Sequence, residues 1–274
     1  MRIFSLNLLP MVKVKALNIY PIKSLGGISV TEAIAMAEGF QYDRRWMLVD
    51  EKGQFLTQRS NSALAKFRCQ LSDNELAVKF EDSDLLIPID QDGVKTKKVQ
   101  VWSSKLKANE VDPLFSEWFS EHLQQPCTLV KMTKVSKRSK RLSVAPFKTA
   151  LSFADGYPYL ILGTASMDKL NSLSPEIIPI NRFRSNIELE TTGAHEEDQY
   201  GEFMLGAAKM KVIKPCARCE VITINQKTGE KGKEPLKILA KYRRKMNKIY
   251  FGANVILQEE GLVRVGDELV VKGS

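Results

Sequence analysis

The sequence is poor in histidine and cysteine, with only His122, His195, Cys69, Cys127, Cys216 and Cys219 among its 274 residues. A closed structural zinc site takes four ligands, and no second Cys or His pair stands at a suitable spacing from Cys216 and Cys219. Four dispersed cysteines are also too few for a secreted disulfide scaffold of this length, so a reducing, cytoplasmic setting is expected. Long apolar runs are missing as well. Met1–Pro10 carries Ile3, Phe4, Leu6, Leu8 and Leu9, but Ser5 and Asn7 interrupt it, and it falls short of the roughly 20 residues a membrane span needs. No small-residue cleavage site precedes Lys13 and Lys15, which argues against a signal peptide. The strand-like pattern begins at Val12, which makes Met11 an alternative start.

Acidic residues are in deficit, 32 against 41 Lys and Arg, for a net charge of +9. The excess gathers in Lys131, Lys134, Lys137, Arg138, Lys140 and Arg141, and again between Lys231 and Lys248. Such clusters steer anionic partners, or simply form solvated loops and helix faces. Neither is interleaved with aromatics, and no nucleic-acid fingerprint accompanies them, so nucleic acid is not an expected partner.

What is present describes a soluble globular chain, 43% hydrophobic and 27% charged, and long enough for two packed domains. Period-two patterning predicts strands over Val12–Tyr20, Trp46–Val49, Gln54–Gln58, Leu76–Phe80, Leu85–Ile89 and Val99–Trp102. Short strands between Gly, Asp, Asn and Pro signals favour a barrel-like first half over βαβ repeats. A helix is expected from Pro113, with Leu114, Phe115, Trp118, Phe119 and Leu123 on one face and Pro126 closing it. Residues 131–148 read as a basic connection. Beyond it, strands are expected over Tyr159–Leu162, Ser185–Glu190, Lys209–Lys214, Cys219–Asn225, Val255–Gln258 and Glu268–Lys272, and helices over Thr164–Leu173 and Pro235–Lys245. The expectation is an α+β protein divided into 12–130 and 131–274.

The concentration of chemistry lies in Lys214-Pro215-Cys216-Ala217-Arg218-Cys219. A thiolate suits a soft or high-valent metal, and neighbouring cations stabilise its charged form. A thioredoxin-like pair would place its first cysteine at a helix start, whereas Cys219 opens the β-rich run Glu220-Val221-Ile222-Thr223-Ile224. Two partly buried cysteines without a task is the competing reading.

Several separated motifs decide between these. Tyr20-Pro21-Ile22-Lys23-Ser24 and Asp43-Arg44-Arg45-Trp46 resemble the amino-terminal barrel domain that accompanies MOSC domains. Asn181-Arg182-Phe183-Arg184-Ser185-Asn186, Pro215-Cys216-Ala217-Arg218-Cys219 and Phe251-Gly252-Ala253-Asn254 resemble the MOSC domain itself. Their order and spacing match over nearly the whole chain after Met11, and are similar to the mitochondrial amidoxime-reducing components and bacterial hydroxylaminopurine-resistance proteins. The resemblance implies a molybdenum cofactor, with Cys219 as the metal-binding and catalytic thiolate. It further implies that Lys23, Ser24, Arg44, Asp155, Gly156, Tyr157, Arg184, Asn186, Arg218 and Asn254 contact the pterin or its phosphate. The eukaryotic relatives carry Thr-Ser where this chain has Gly156-Tyr157, and tyrosine where it has Asn254, so contacts there are expected to differ. The family description also carries pyridoxal phosphate binding, to which no residue here is assigned.

Arg and Lys suit a phosphate, Arg in bidentate fashion, whereas backbone groups and Asn suit a planar amide-rich ring. Taken singly, Arg44 and Arg45 also read as strand-edge charges, Lys23 as a solvated loop residue and Arg184 as a partner for Glu188. Trp46 reads as a core anchor, and His195 beside Glu196, Glu197 and Asp198 as a solvated loop. The activity implied is two-electron reduction of a small N-hydroxylated substrate, a hydroxylamine or amidoxime, to the amine or amidine with loss of water. No four-cysteine ferredoxin spacing follows the MOSC-like motifs, so no iron–sulfur cluster is expected in this chain, and electrons would come from a separate reductase or iron–sulfur carrier. The rival is a non-catalytic carrier of the cofactor or of a cysteine persulfide.

Overall fold

Alternating apolar and polar residues dominate the sequence, and strands dominate the fold. The computed structural model describes residues 11–93, 95–134, 136–141 and 148–271. The readings made for Met1–Pro10, for Lys272 and for parts of the 131–148 connection lie outside the described residues.

The first half contributes β1 (Lys13–Ile19), β2 (Ile28–Val30), β3 (Glu32–Met36), β4 (Gly39–Phe40) and β5 (Trp46–Val49). It continues with β6 (Arg68–Leu71), β7 (Glu75–Phe80), β8 (Ser83–Pro88), β9 (Lys95–Val101), β10 (Ser104–Glu110), α1 (Pro113–Leu123) and β11 (Thr128–Lys131). The second half runs through β12 (Ser139–Arg141), β13 (Lys148–Ala150), β14 (Tyr159–Gly163), α2 (Thr164–Asn171), β15 (Ile187–Glu190) and β16 (Glu202–Leu205). It ends with β17 (Ala208–Arg218), α3 (Leu236–Tyr242), β18 (Arg244–Lys245), β19 (Lys248–Glu259), β20 (Gly261–Arg264) and β21 (Leu269–Val271).

The largest sheet has the order β2-β1-β15-β14-β19-β17-β16-β21, with β18 added against β19. All its pairings are antiparallel except β14 with β15. The sheet curls so that β1 approaches β21, with Val14 N donating to Asp267 O (2.9 Å) and Leu269 N to Val12 O (2.8 Å). A second sheet, β5-β11-β10-β9, and a β6-β7-β8 meander make up most of the rest of the first half. The halves interlock, because β1 lies between β2 and β15, and β3 pairs with β20. Site residues from distant sequence positions are thereby carried on shared sheets.

Burial follows the strand period. Leu17, Ile19, Phe40, Tyr159 and Phe203 fill one core, and Trp46, Phe67, Val78, Phe119 and Leu129 another. Helix α1 starts where expected, with the Asp112 carboxylate accepting Leu114 N (2.9 Å) and Pro113 in the first turn. Gln124 closes it in the left-handed conformation. Phe119 and Leu123 are buried, but Leu114 is 66% exposed, because it lies off the face that packs on the meander.

Four expectations need correction. Gln54–Gln58 is no strand: Gln54 and Phe55 make only isolated bridges to Gln100 and Val49. Cys219–Asn225 is no strand either; Glu220–Thr223 is a 3₁₀ turn with Cys219 at its cap. Its β-branched residues are recruited by burial, Ile222 packing with Phe183, Leu239 and Phe251, and tertiary contact outweighs intrinsic strand preference there. The Pro235–Lys245 helix stops at Tyr242, and Arg244–Lys245 turns through left-handed Met246 and Asn247 into β19. The basic 131–148 segment is more than a connection, since Arg138 is buried and β12 pairs with β13.

Gly252 shows why the Phe-Gly-Ala-Asn motif needs its glycine. It sits within β19 at φ +70°, and a Cβ there would lie 2.7 Å from the carbonyl oxygen of Ile161 on neighbouring β14. Gly252→Ala is expected to destabilise the protein by more than about 1 kcal/mol, read as a lower urea midpoint with unchanged slope. An unaltered midpoint would show that β14 and β19 can move apart at no cost.

Candidate functional site

Strands β14, β17 and β19, and the loops after β1, β4, β5, β9 and β13, open onto one cleft of about 480 Å³. All eleven residues expected to touch the cofactor line it: Lys23, Ser24, Arg44, Asp155, Gly156, Tyr157, Arg184, Asn186, Arg218, Cys219 and Asn254. Three of them, Ser24 (φ 73°), Arg44 (φ 50°) and Arg184 (φ 56°), hold left-handed backbone that non-glycine residues seldom adopt.

The floor is organised by Tyr20 and Asp43. Asp43 is fully buried; its carboxylate accepts Tyr20 N (2.8 Å) and Arg44 Nη1 (2.5 Å). Arg44 also donates to Asn186 Oδ1 (3.0 Å) and Arg184 O (3.3 Å), tying the first half to the second. The guanidinium groups of Arg44 and Arg184 both stand over the Tyr20 ring, at 4.4 and 4.3 Å. Burial pushes the Tyr20 phenol up to about 12 and lowers Arg184 to about 10. Arg184 therefore stays charged at neutral pH, and it does not pair with Glu188, which accepts from Asn18 instead (2.9 Å).

Lys23 is not a solvated loop residue. It is 6% exposed, and its Nζ donates to Phe153 O (2.8 Å) and Asp155 Oδ1 (2.5 Å) while lying 4.8 Å from the Phe55 ring centroid. Burial lowers the Lys23 pKa against the opposing pull of Asp155. Desolvation would raise the Asp155 carboxyl, but Lys23 and the Trp102 indole N–H (3.1 Å) outweigh it and hold the group below the usual carboxylate range. Ser24 spends its hydroxyl on Leu56 O (3.0 Å). Gly156 lies beneath the Lys140 ammonium, 3.2 Å from where a Cβ would stand. Lys140 and Lys214 both face the Tyr157 ring, at 4.9 and 5.3 Å.

Cys219 is exposed at the corner where β17 gives way to the 3₁₀ turn. Arg218 donates to Phe183 O (2.6 Å) and to Cys216 Sγ (3.3 Å), leaving its Nε buried and unpartnered. The Tyr157 hydroxyl is likewise buried without a partner. Asn254 faces the cleft from β19, near Pro215 O (3.5 Å). No group of three His, Cys, Asp or Glu side chains that could hold a metal occurs among the described residues, and Cys216 and Cys219 are the cysteines that line the cleft.

Sequence reasoning missed Arg59, Trp102 and the inward role of Lys140 and Lys214. Arg59 stacks on Trp102 at 4.3 Å on the cleft rim. No spacing signal links positions so far apart, and Lys140 was hidden within a charge run. Arg45 lies outside this cleft, paired with Glu38 (2.6 Å), and Trp46 is the fully buried anchor expected. His195 is outside it too, and it is not a solvated loop residue: both ring nitrogens are buried and unpartnered, with Tyr242 and Phe251 alongside.

The site is a cleft in a strand-rich α+β scaffold, lined by Cys216, Cys219 and a ring of cations. Residues 11–126 match the MOSC N-terminal beta barrel domain and residues 148–270 the MOSC domain. The chain belongs to the MOSC family. Mitochondrial amidoxime-reducing component 1 of Mus musculus is 31% identical over 279 residues, covering 95% of this chain and 82% of that protein. Molybdenum cofactor sulfurase of Oryza sativa subsp. japonica is 29% identical over 94% of this chain, which spans 34% of that protein. Among solved structures, the YuaD protein of Bacillus subtilis aligns over 94% of both chains at 11% identity and a TM-score of 0.40. No helix among the described residues is long and apolar enough to cross a membrane.

The buried imidazole generates a pH prediction. Burial, aided by Arg243 and Lys169, lowers the His195 pKa to about 4, whereas an unfolded histidine titrates near 6.5. Between these values the unfolded chain binds more protons, so this contribution is complete above about pH 6.5 and is lost as pH falls towards 4. Melting temperatures measured from pH 7 to 4.5 should fall less steeply in His195→Phe than in the native protein. Parallel slopes would assign the acid sensitivity to other groups.

Proposed function

We propose that this cleft holds a molybdenum–pterin cofactor, that Cys219 supplies the protein's thiolate to the metal, and that the protein reduces N-hydroxylated compounds with electrons from a separate donor. The observation carrying this reading is the convergence of one exposed thiol with seven cations, Lys23, Arg44, Arg59, Lys140, Arg184, Lys214 and Arg218, against the single facing carboxylate of Asp155. The donor set fits the group. A phosphate calls for Arg and Lys, and a pterin ring for amide and hydroxyl partners. Arg218 Nε and Tyr157 Oη are buried donors with no partner in the protein, and both residues line the cleft.

When bound, the cofactor supplies two-electron chemistry at its metal. The chain supplies position and charge. Arg44 and Arg184 hold an anion over the Tyr20 floor, Lys140 and Lys214 approach it from the Gly156–Tyr157 side, and Arg218 orients the strand end that presents Cys219. Tyr157 supports the reading despite replacing a small hydroxyl residue, because its own hydroxyl reaches a buried position. The relatives, an amidoxime-reducing component and a molybdenum cofactor sulfurase, agree with a molybdenum-related role. A second reading, a carrier that hands on cofactor or sulfur, is favoured by one feature: Cys219 is exposed.

The test compares native protein with Cys219→Ala after expression in a cofactor-producing host. Molybdenum content should be near one per chain in the native protein and lower by on the order of tenfold or more in the variant, since even residues supporting a metal ligand cost that much. Native protein should then reduce an aromatic amidoxime with a chemically reduced viologen. Release of cofactor to an apo-acceptor without turnover would favour the carrier, and equally low molybdenum in both proteins would overturn Cys219 as ligand.

A further inference from the structure

A second cleft, of about 700 Å³, lies between β3, β5 and the basic segment after β11. Its floor is apolar, with Met36, Tyr42 and Ile89 half-buried and Phe40, Trp46, Met132 and Leu151 buried. Its charge is unbalanced. Of the five cations that line it, Arg45 is paired with Glu38 (2.6 Å), and Lys131 is held by Asp92 (2.8 Å) and the carbonyl of Ile89 (2.5 Å). Lys134 and Lys137 are exposed and pair with no carboxylate among the described residues. Arg138 is buried and spends its terminal nitrogens on the carbonyls of Ser152, Ala154 and Asp155.

Three buried donors converge here. Trp46 Nε1, Thr133 Oγ1 and Arg138 Nε have no hydrogen-bond partner, and all three residues line the cleft. Native proteins partner the large majority of buried polar side-chain atoms, so three unpartnered donors around one cavity are not a chance surface property. The same combination, uncompensated cations with buried free donors, marks the cofactor cleft. Arg138 links the two, because Ala154 and Asp155, whose carbonyls it holds, line the first.

We propose that this second cleft binds a small organic carboxylate with an apolar body, its charge drawn to Lys134, Lys137 and Arg138 and its body seated against Met36, Tyr42 and Ile89. The apolar floor sets the class. A bare inorganic anion would leave that floor uncovered, and a neutral apolar molecule would leave the positive excess uncompensated. Three of the five N–H groups of Arg138 are committed to carbonyls and its Nε–H is free, which leaves a charged donor for an oxyanion beside the exposed Lys134 and Lys137.

The three tryptophans make the test local. Trp46 lies in the second cleft, the Trp102 indole N–H is on Asp155 in the first, and the Trp118 indole N–H is on Ser83 Oγ (2.9 Å), away from both. Their indole resonances in a ¹H–¹⁵N spectrum, assigned with Trp46→Phe, would be followed on titration with 1-naphthoate. The expected result is a saturable shift of the Trp46 resonance with Trp102 and Trp118 unmoved. Lys134→Glu/Lys137→Glu should weaken it by on the order of tenfold, and an unchanged Trp118 resonance would show that the variant is folded. A shift at Trp102 alone, no shift at all, or an equal response to neutral 1-naphthamide would each overturn the proposal.

Discussion

The structure is organised around mutual repulsion among cations that must share one cleft. Seven positive side chains face it and one carboxylate answers them directly, so the fold has to hold like charges together without collapsing the space between. It does so chiefly with rings and carbonyls. Tyr20 takes Arg44 and Arg184, Tyr157 takes Lys140 and Lys214, Trp102 takes Arg59, Phe55 takes Lys23 and Phe183 takes Arg218. A ring face attracts a cation without neutralising it, whereas a carboxylate in each place would cancel the field that an anionic ligand needs. Asp43 is the exception that sets the geometry: wholly buried beneath Arg44, it fixes the guanidinium from behind while its own charge is turned away from the opening.

That arrangement explains why the halves interlock. A cleft formed by two separately folded units would widen under its own charge. Here β1 is hydrogen-bonded to β15, β14 to both β15 and β19, and β19 to β17, so the strands that end beside Tyr20, begin beside Asn186 or carry Asn254 and Arg218 all belong to one sheet. Asn186 is the joint, accepting from Arg44 and from Leu160 N (3.3 Å) and donating to Asn18 O (3.1 Å). Opening the cleft would cost sheet hydrogen bonds as well as side-chain contacts.

Much of this was legible in the sequence. Period-two patterning located β1, β5, β7, β8, β14 and β15, and Pro113 marked the start of α1. The motif residues gathered in the cleft because motifs record which positions must meet, even when nothing local says why. Less legible were features set by distant packing. Arg59 and Trp102 meet across 43 positions, and Lys140 sits in a charge run that reads as solvent-facing, although part of that run is drawn inward to Tyr157 and to the 152–155 carbonyls. Local charge density reports how many cations a segment has and is silent about which way they turn.

The misread run after Cys219 carries the deepest lesson. Val-Ile-Thr-Ile has strong strand preference, and continued extension would keep residues 219–225 in ladder geometry, with side chains alternating between the faces of the sheet. Burial of Ile222 against Phe183 and Phe251 instead pulls the chain into a tight turn directly after β17. Cys219 is left at the corner, exposed and free of the ladder. The apolar residues that break the local rule are thus the ones that deliver the thiol to the cleft. A stretch that follows its intrinsic preference can build a sheet edge, but presenting one reactive atom at a chosen place required the core to override it.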